Sequence, residues 1–447
     1  MSRWLRRAGA LFAATLTAFG LTTAGPAHAA APAHYTGQLP DGASWVADVP
    51  SAWNGTVILY SHGFGPLVAQ NAPDAATGQA LLDGGYALVG SSYSGPSWWA
   101  LSSAVRDQFA SLGELARRIG EPRRTIAWGT SMGGLVSALE AESGARRLDG
   151  VLTTCGLVAG ALNLNDYQLD GEYALSRLLA PTQPVKFVRY ASADEASAAG
   201  ASLTKIVADA QGTAAGRART ALGAALMNTA TWLTGATPPG PTDYAGQEQQ
   251  QQLALTQFVL GFVLSGRYQI ELAAGGNSAA NAGTDYRALL SGSPLARQVR
   301  ALYRQAGLDL DADLADLTRH ADITADPGAI ATLARTSTVT GRLRVPELDI
   351  HTTADHLVPV EQENWYAHRV RAAGRESLLR QAYVDAAGHC AFQPPETLAA
   401  LHALEARIGT GHWPDLRPER LNAAAAALGA PGRYLRYTPA PLTGAHR

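Results

Sequence analysis

Lysine is nearly missing from this chain. Only Lys186 and Lys205 occur in 447 residues, so arginine carries almost all of the positive charge. With 35 Lys and Arg against 37 Asp and Glu the net charge is -2, and no excess of either sign marks a nucleic-acid partner. Cysteine is scarce as well. Two residues, Cys155 and Cys390, cannot close a zinc site, and the scattered histidines form no H-E-x-x-H, so no metal is expected. A Walker A loop and a G-x-G-x-x-G fingerprint are also missing, and no cofactor is expected. Beyond the N-terminus, no run is long and apolar enough to cross a bilayer. What is present is an apolar content of 47%, enough to bury the core of an enzyme-sized globule.

The N-terminal run reads as an export signal. MSRWLRR is basic, AGALFAATLTAFGLTTA is apolar with small residues, and Ala27-His28-Ala29 supplies the small-x-small pattern before a cleavage site. Residues 1–29 are therefore expected to be a signal peptide cut after Ala29. This predicts a secreted, extracellular protein without stable membrane insertion. Arg6-Arg7 leaves the export route open.

After the signal, strand-like runs alternate with helical patterns: Thr56 to Tyr60, Tyr86 to Ser92, Thr125 to Trp128, Leu148 to Thr154, Val345 to His351 and Gln381 to Asp385. An earlier pair, around Tyr35 to Gln38 and Ser44 to Val49, predicts an antiparallel start. Such alternation predicts an α/β fold, a mostly parallel sheet flanked by helices. It breaks near Leu157 and resumes near Leu343. The intervening stretch, rich in Ala and Gln, is too long for a loop and reads as a large inserted helical cap. The expected organisation is thus 30–157 for the first part of the core, 158–342 for the cap, and 343–447 for the second part with a C-terminal tail.

Thr125 to Leu135 reads TIAWGTSMGGL, which puts a serine between glycines where a strand meets a helix. Gly129, Ser131 and Gly133 spell G-x-S-x-G, the nucleophile elbow. With 46 glycines in the chain the pattern alone arises by chance in roughly one such chain in four, so context must carry it. Open α/β sheets place their chemistry at the carboxyl ends of strands. There the turn His62-Gly63-Phe64-Gly65 offers backbone N–H groups to a developing oxyanion, from Phe64 with Met132 as the second donor. Asp355 follows one strand in TTADHLVP, and His389 follows the next in AAGHCAF. Ser131, Asp355 and His389 are therefore the expected catalytic residues: a histidine must take the serine's proton, and a carboxylate must fix its tautomer. Asp349 and Asp385 lie within strands and are weaker acids for this role, as are Glu361 and Glu363. His62, His351 and His356 read as structural, and His320, His368, His402 and His412 lack any strand-end context.

The series HGFG, GTSMG, TTADHLVP and GHC resembles the α/β-hydrolase superfamily, in an arrangement similar to secreted actinobacterial esterases or lipase-type serine hydrolases. PSAWNGTVILYSHGF and a Cys after the His are similar to tannase and feruloyl-esterase relatives. Those relatives carry a second Cys directly before the serine, where this chain has Thr130. The resemblance implies hydrolysis of a carboxylic ester through an acyl-enzyme. An exopeptidase or amidase of the prolyl-oligopeptidase or tripeptidyl type, an acyltransferase and a non-enzymatic binding protein are the alternatives. The expected partner is a small-molecule or oligomeric ester. SSYSGPSWWAL places Tyr93, Trp98 and Trp99 near the same sheet edge, and Tyr93 and Trp98 are expected to bind substrate. The run FVLGFVL reads as helix core. An even cysteine count in an exported chain predicts a disulfide between Cys155, at the end of a strand, and Cys390, beside His389.

Overall fold

The computed structural model describes residues 32–445 apart from 145 and 236; the expected signal, 1–29, lies outside the described residues. β1 (Ala33–Gln38) and β2 (Ser44–Val49) pair antiparallel and lead into β3 (Thr56–Ser61). Then α1 (Ala75–Asp83), β4 (Ala87–Ser91), α2 (Leu101–Ile119), β5 (Arg124–Thr130), α3 (Met132–Ser143) and β6 (Gly150–Thr154) alternate. A helical insertion follows: α4 (Gly160–Leu179), α5 (Ala193–Ala210), α6 (Ala214–Leu226), α7 (Tyr244–Ala254), a π-helical turn (Leu255–Val259), α8 (Leu260–Ala274), α9 (Tyr286–Gly292), α10 (Ala296–Ala306), α11 (Leu310–His320) and α12 (Pro327–Thr336). The chain returns to the sheet through β7 (Glu347–Ala354), α13 (Glu361–Ala372), β8 (Leu379–Ala387), α14 (Pro394–Thr410), α15 (Pro418–Ala427) and β9 (Tyr434–Leu435).

The strand order is β1-β2-β4-β3-β5-β6-β7-β8-β9, parallel from β4 to β8 and antiparallel only at the margins. Strand periodicity explains its two covered faces. Val57 and Leu59 point into one apolar core with α2 and α3, while Ile58 and Tyr60 point into the other with α14. The pairing Ser61 with Gly129, and Thr130 with Thr154, brings the carboxyl ends of β3, β5 and β6 to one edge.

The insertion buries a core of its own, drawn from Leu169, Leu203, Leu222, Leu260, Val299 and Leu317 among others. It is tied to the sheet by hydrogen bonds. Trp99 Nε1, after β4, donates to Ser337 Oγ at 3.1 Å, and Ser97 Oγ donates to the Gln269 carbonyl of α8 at 2.7 Å. In FVLGFVL, Val259, Leu260, Val263 and Leu264 are buried, but Phe258 and Phe262 are exposed. No helix of the described residues is long and apolar enough to cross a membrane. Strand β9 was not anticipated, because two residues carry no periodicity.

Candidate active site

At the elbow Ser131 has φ 60° and ψ -122°, a conformation that L-residues hold only when their surroundings impose it, at a cost of about 1–3 kcal/mol. The glycines answer to sterics. A Cβ on Gly129 would strike the carbonyl oxygen of Gly133, and a Cβ on Gly133 would strike that of Ser61. The turn is anchored by the Ser131 N–H, which donates to the Thr154 carbonyl at 3.0 Å.

Ser131 Oγ lies 2.9 Å from His389 Nε2, and His389 Nδ1 lies 2.7 Å from Asp355 Oδ2. The other Asp355 oxygen accepts from the N–H groups of Leu357 and Val358, each at 2.9 Å. Burial would raise the Asp355 pKa. The adjoining His389 ring and the backbone donors outweigh it and hold the carboxyl below the ordinary value. The buried carboxylate thus stays ionised and orients the imidazole with Nδ1–H toward itself, leaving Nε2 to accept the serine proton.

Cys155 and Cys390 are joined in a disulfide with a Cα–Cα separation of 5.4 Å. The bond staples the His389 loop to the end of β6, next to β5, which leads into Ser131. Cys155, His389 and Cys390 gather within 4.8 Å, but sulfurs committed to a disulfide are not thiolate ligands.

The loop after β3 passes close to the serine, since a Cβ on Gly63 would sit 3.3 Å from that of Ser131. The Phe64 N–H makes no backbone hydrogen bond among the described residues. Met132 opens α3, where the first N–H of a helix has no intrahelical acceptor. Both are therefore available to a negative oxygen. His62 is buried behind this loop, stacked on Tyr93 with ring centroids 4.2 Å apart.

Beside Ser131 and His389 opens a narrow pocket, walled mainly by Phe64, Trp99, Leu164, Phe262, Ile270 and Leu357. This corrects two expectations. Tyr93 is only 1% exposed and does not line the pocket; its hydroxyl donates to the His62 carbonyl at 3.0 Å and props the loop after β3 from behind. Trp98 is 42% exposed, edge-on to Phe64 outside the pocket wall, and its neighbour Trp99 turns inward instead. Glu361 and Glu363 do not line the pocket. Gln168, on α4, does line it. The sequence reading missed it, because helical spacing inside an insertion does not say which face meets the sheet.

No family model matches the chain. It is 28% identical over 432 residues to an o-phthalyl amidase of Xanthobacter agilis, covering 89% of this chain and 93% of that one. Among solved structures it is similar to feruloyl esterase B from Aspergillus oryzae, with 16% identity, a TM-score of 0.40 and coverage of 86% and 81%. An esterase from Aspergillus oryzae gives 15% identity, a TM-score of 0.44 and coverage of 84% and 78%. A mostly parallel sheet, a strand-turn-helix elbow with a half-buried serine at its carboxyl edge, and the order Ser131, Asp355, His389 along the chain give this protein the α/β-hydrolase fold.

Proposed function

We propose that the protein is a serine hydrolase that cleaves carboxylic esters with compact, apolar acyl groups. The observation that carries this reading is the hydrogen-bonded line from Asp355 through His389 to Ser131, opening into a pocket with the aromatic walls Phe64, Trp99 and Phe262. In this mechanism His389 Nε2 takes the Ser131 proton as Oγ attacks the carbonyl carbon. The resulting oxyanion lies against the N–H groups of Phe64 and Met132, which need not reorganise to receive it. His389 then returns the proton to the departing alcohol. The acyl group stays on Ser131 in the pocket until a water, deprotonated by the same nitrogen, releases the acid. The helical insertion acts as a cap, since α4 and α8 supply one side of the acyl pocket. The disulfide accords with an oxidising exterior and therefore with export.

A specific observation favours a second reading. The relative from Xanthobacter agilis, similar over nearly its whole length, is named an o-phthalyl amidase. An amide uses the same attack and oxyanion site and differs in demanding fuller protonation of the leaving nitrogen by His389. Matched benzoyl and short-chain acyl esters and anilides, set beside aminoacyl p-nitroanilides, distinguish these outcomes. Ester turnover favouring benzoyl supports the first reading, faster anilide cleavage moves the assignment to amidase, and hydrolysis confined to aminoacyl anilides points to an exopeptidase. Turnover of none of them by folded protein overturns the proposal.

A further inference from the structure

Apart from Ser131 and His389, the pocket wall holds one polar side chain among the described residues, Gln168. It is 7% exposed; its amide makes no hydrogen bond to any described residue, and its polar atoms are not among the buried, unpartnered ones, so they keep access to the pocket opening. A primary amide brings two donors and an acceptor, and a ligand that displaces the water at this site without pairing with them leaves them unmatched at a cost. Its setting is well defined. Leu164, Gln168 and Glu172 fall four residues apart on one face of α4. Leu164 belongs to the apolar wall, while Glu172 pairs with Arg267 of α8, both fully buried. Val263, Gly266 and Ile270 of the same helix line the pocket. Gln168 therefore stands where the apolar wall gives way to a buried ion pair.

We propose that Gln168 is the polar specificity determinant of this pocket, and that the preferred substrate carries a compact ring bearing a hydrogen-bonding substituent such as a hydroxyl. The aromatic walls hold the ring, and the Gln168 amide pairs with the substituent as it enters. This rests on the hydrolase reading above and narrows its substrate class. No lysine or arginine lines the pocket among the described residues, so the recognition is by hydrogen bond and not by ion pairing. A site built to pair with a polar group discriminates strongly against an analogue that lacks it, because its own amide is then stranded.

The test compares phenyl esters of benzoic acid and of its 2-, 3- and 4-hydroxy derivatives, with the wild type, Gln168→Leu and Gln168→Glu. Taking the ratio of kcat/KM for substituted over unsubstituted ester, and then the change of that ratio on mutation, cancels the intrinsic reactivity of each ester. For at least one ring isomer the ratio falls about tenfold in Gln168→Leu, the worth of one hydrogen bond in a dry pocket. Calorimetric binding of benzoate and the three hydroxybenzoates to the wild type keeps the question open to refutation should a variant fail to fold or the esters not turn over. A hydroxybenzoate binding more tightly than benzoate supports the role. Equal binding of all four, or equal ratios in folded wild type and Gln168→Leu, overturns it. An enzyme inactive on every ester that still binds a hydroxybenzoate selectively would sink the hydrolase reading and leave this one standing.

Discussion

Ser131 is held at an unfavourable backbone geometry in a turn so tight that only glycine fits at 129 and 133, and that arrangement has a kinetic consequence. Ser131→Ala should lower kcat by about 10⁴ to 10⁶, and adding His389→Ala should cost little more, because groups that act as a unit are not additive. Single and double variants assayed on one ester check this; near-normal turnover by folded Ser131→Ala would contradict it. Asp355→Asn should cost about 10⁴ through the wrong histidine tautomer. Asp349, buried in β7 beside Glu363, does not touch His389, so Asp349→Asn should leave kcat within severalfold of the wild type. At this scale the sequence was legible where chemistry restricts residue type. The elbow, Asp355 and His389 could be found because each follows its own strand. Tyr93 and Trp98 could not be placed, because their loop obeys no period: a turn of one residue decides that Trp99 and not Trp98 faces inward.

Between elements, the staple from β6 to the loop after β8 is the connection with the clearest energetic consequence. It closes a loop of 235 residues, for which chain entropy allows about 5 kcal/mol, an upper estimate because the unfolded chain is not ideal. Cys155→Ser should lower the thermal midpoint. It should also lower kcat at temperatures well below that midpoint, since Cys390 adjoins His389, and kinetics at 15 to 20 degrees below the midpoint separate the two effects (roughly the margin at which little unfolded chain is present). On the opposite side of the pocket, Phe262 of α8 meets Phe64 edge-on with centroids 5.5 Å apart. Phe262→Ala should raise KM for benzoyl esters by about three- to tenfold, the worth of one aromatic pair, while short acyl esters change less. Equal loss on both would show that α8 does not shape the acyl site. The strands of the sheet were legible from alternating runs, and the insertion from its length. How α4 and α8 pack onto the sheet was not, since that depends on contacts such as Ser97 with Gln269, which no local pattern encodes.

The whole molecule carries a set of buried acids whose titration sets its stability against pH. Burial, with Asp349 alongside, pushes Glu347 up to about 8, and burial pushes Glu363 up to about 7. In the unfolded chain a glutamate titrates near about 4.3. The folded protein therefore binds more protons than the unfolded one across this window. The stabilisation from these two groups is complete below about pH 4.3 and is lost as pH rises to about 8. Thermal midpoints should fall from about pH 5 to pH 8, and Glu347→Gln, which mimics the protonated form, should flatten that fall. A profile of unchanged slope in Glu347→Gln would contradict this account. None of it could be read from composition, since a net charge of -2 says nothing about which carboxyls the sheet buries.

The account stands or falls on Ser131 being an activated nucleophile. Intact-mass and peptide mass spectrometry after incubation with a fluorophosphonate tests this directly, without knowledge of the substrate. A single adduct on the peptide containing Ser131, lost in Ser131→Ala and slowed by orders of magnitude in His389→Ala, is the predicted result. An unmodified protein, or an adduct on any other residue, would contradict it.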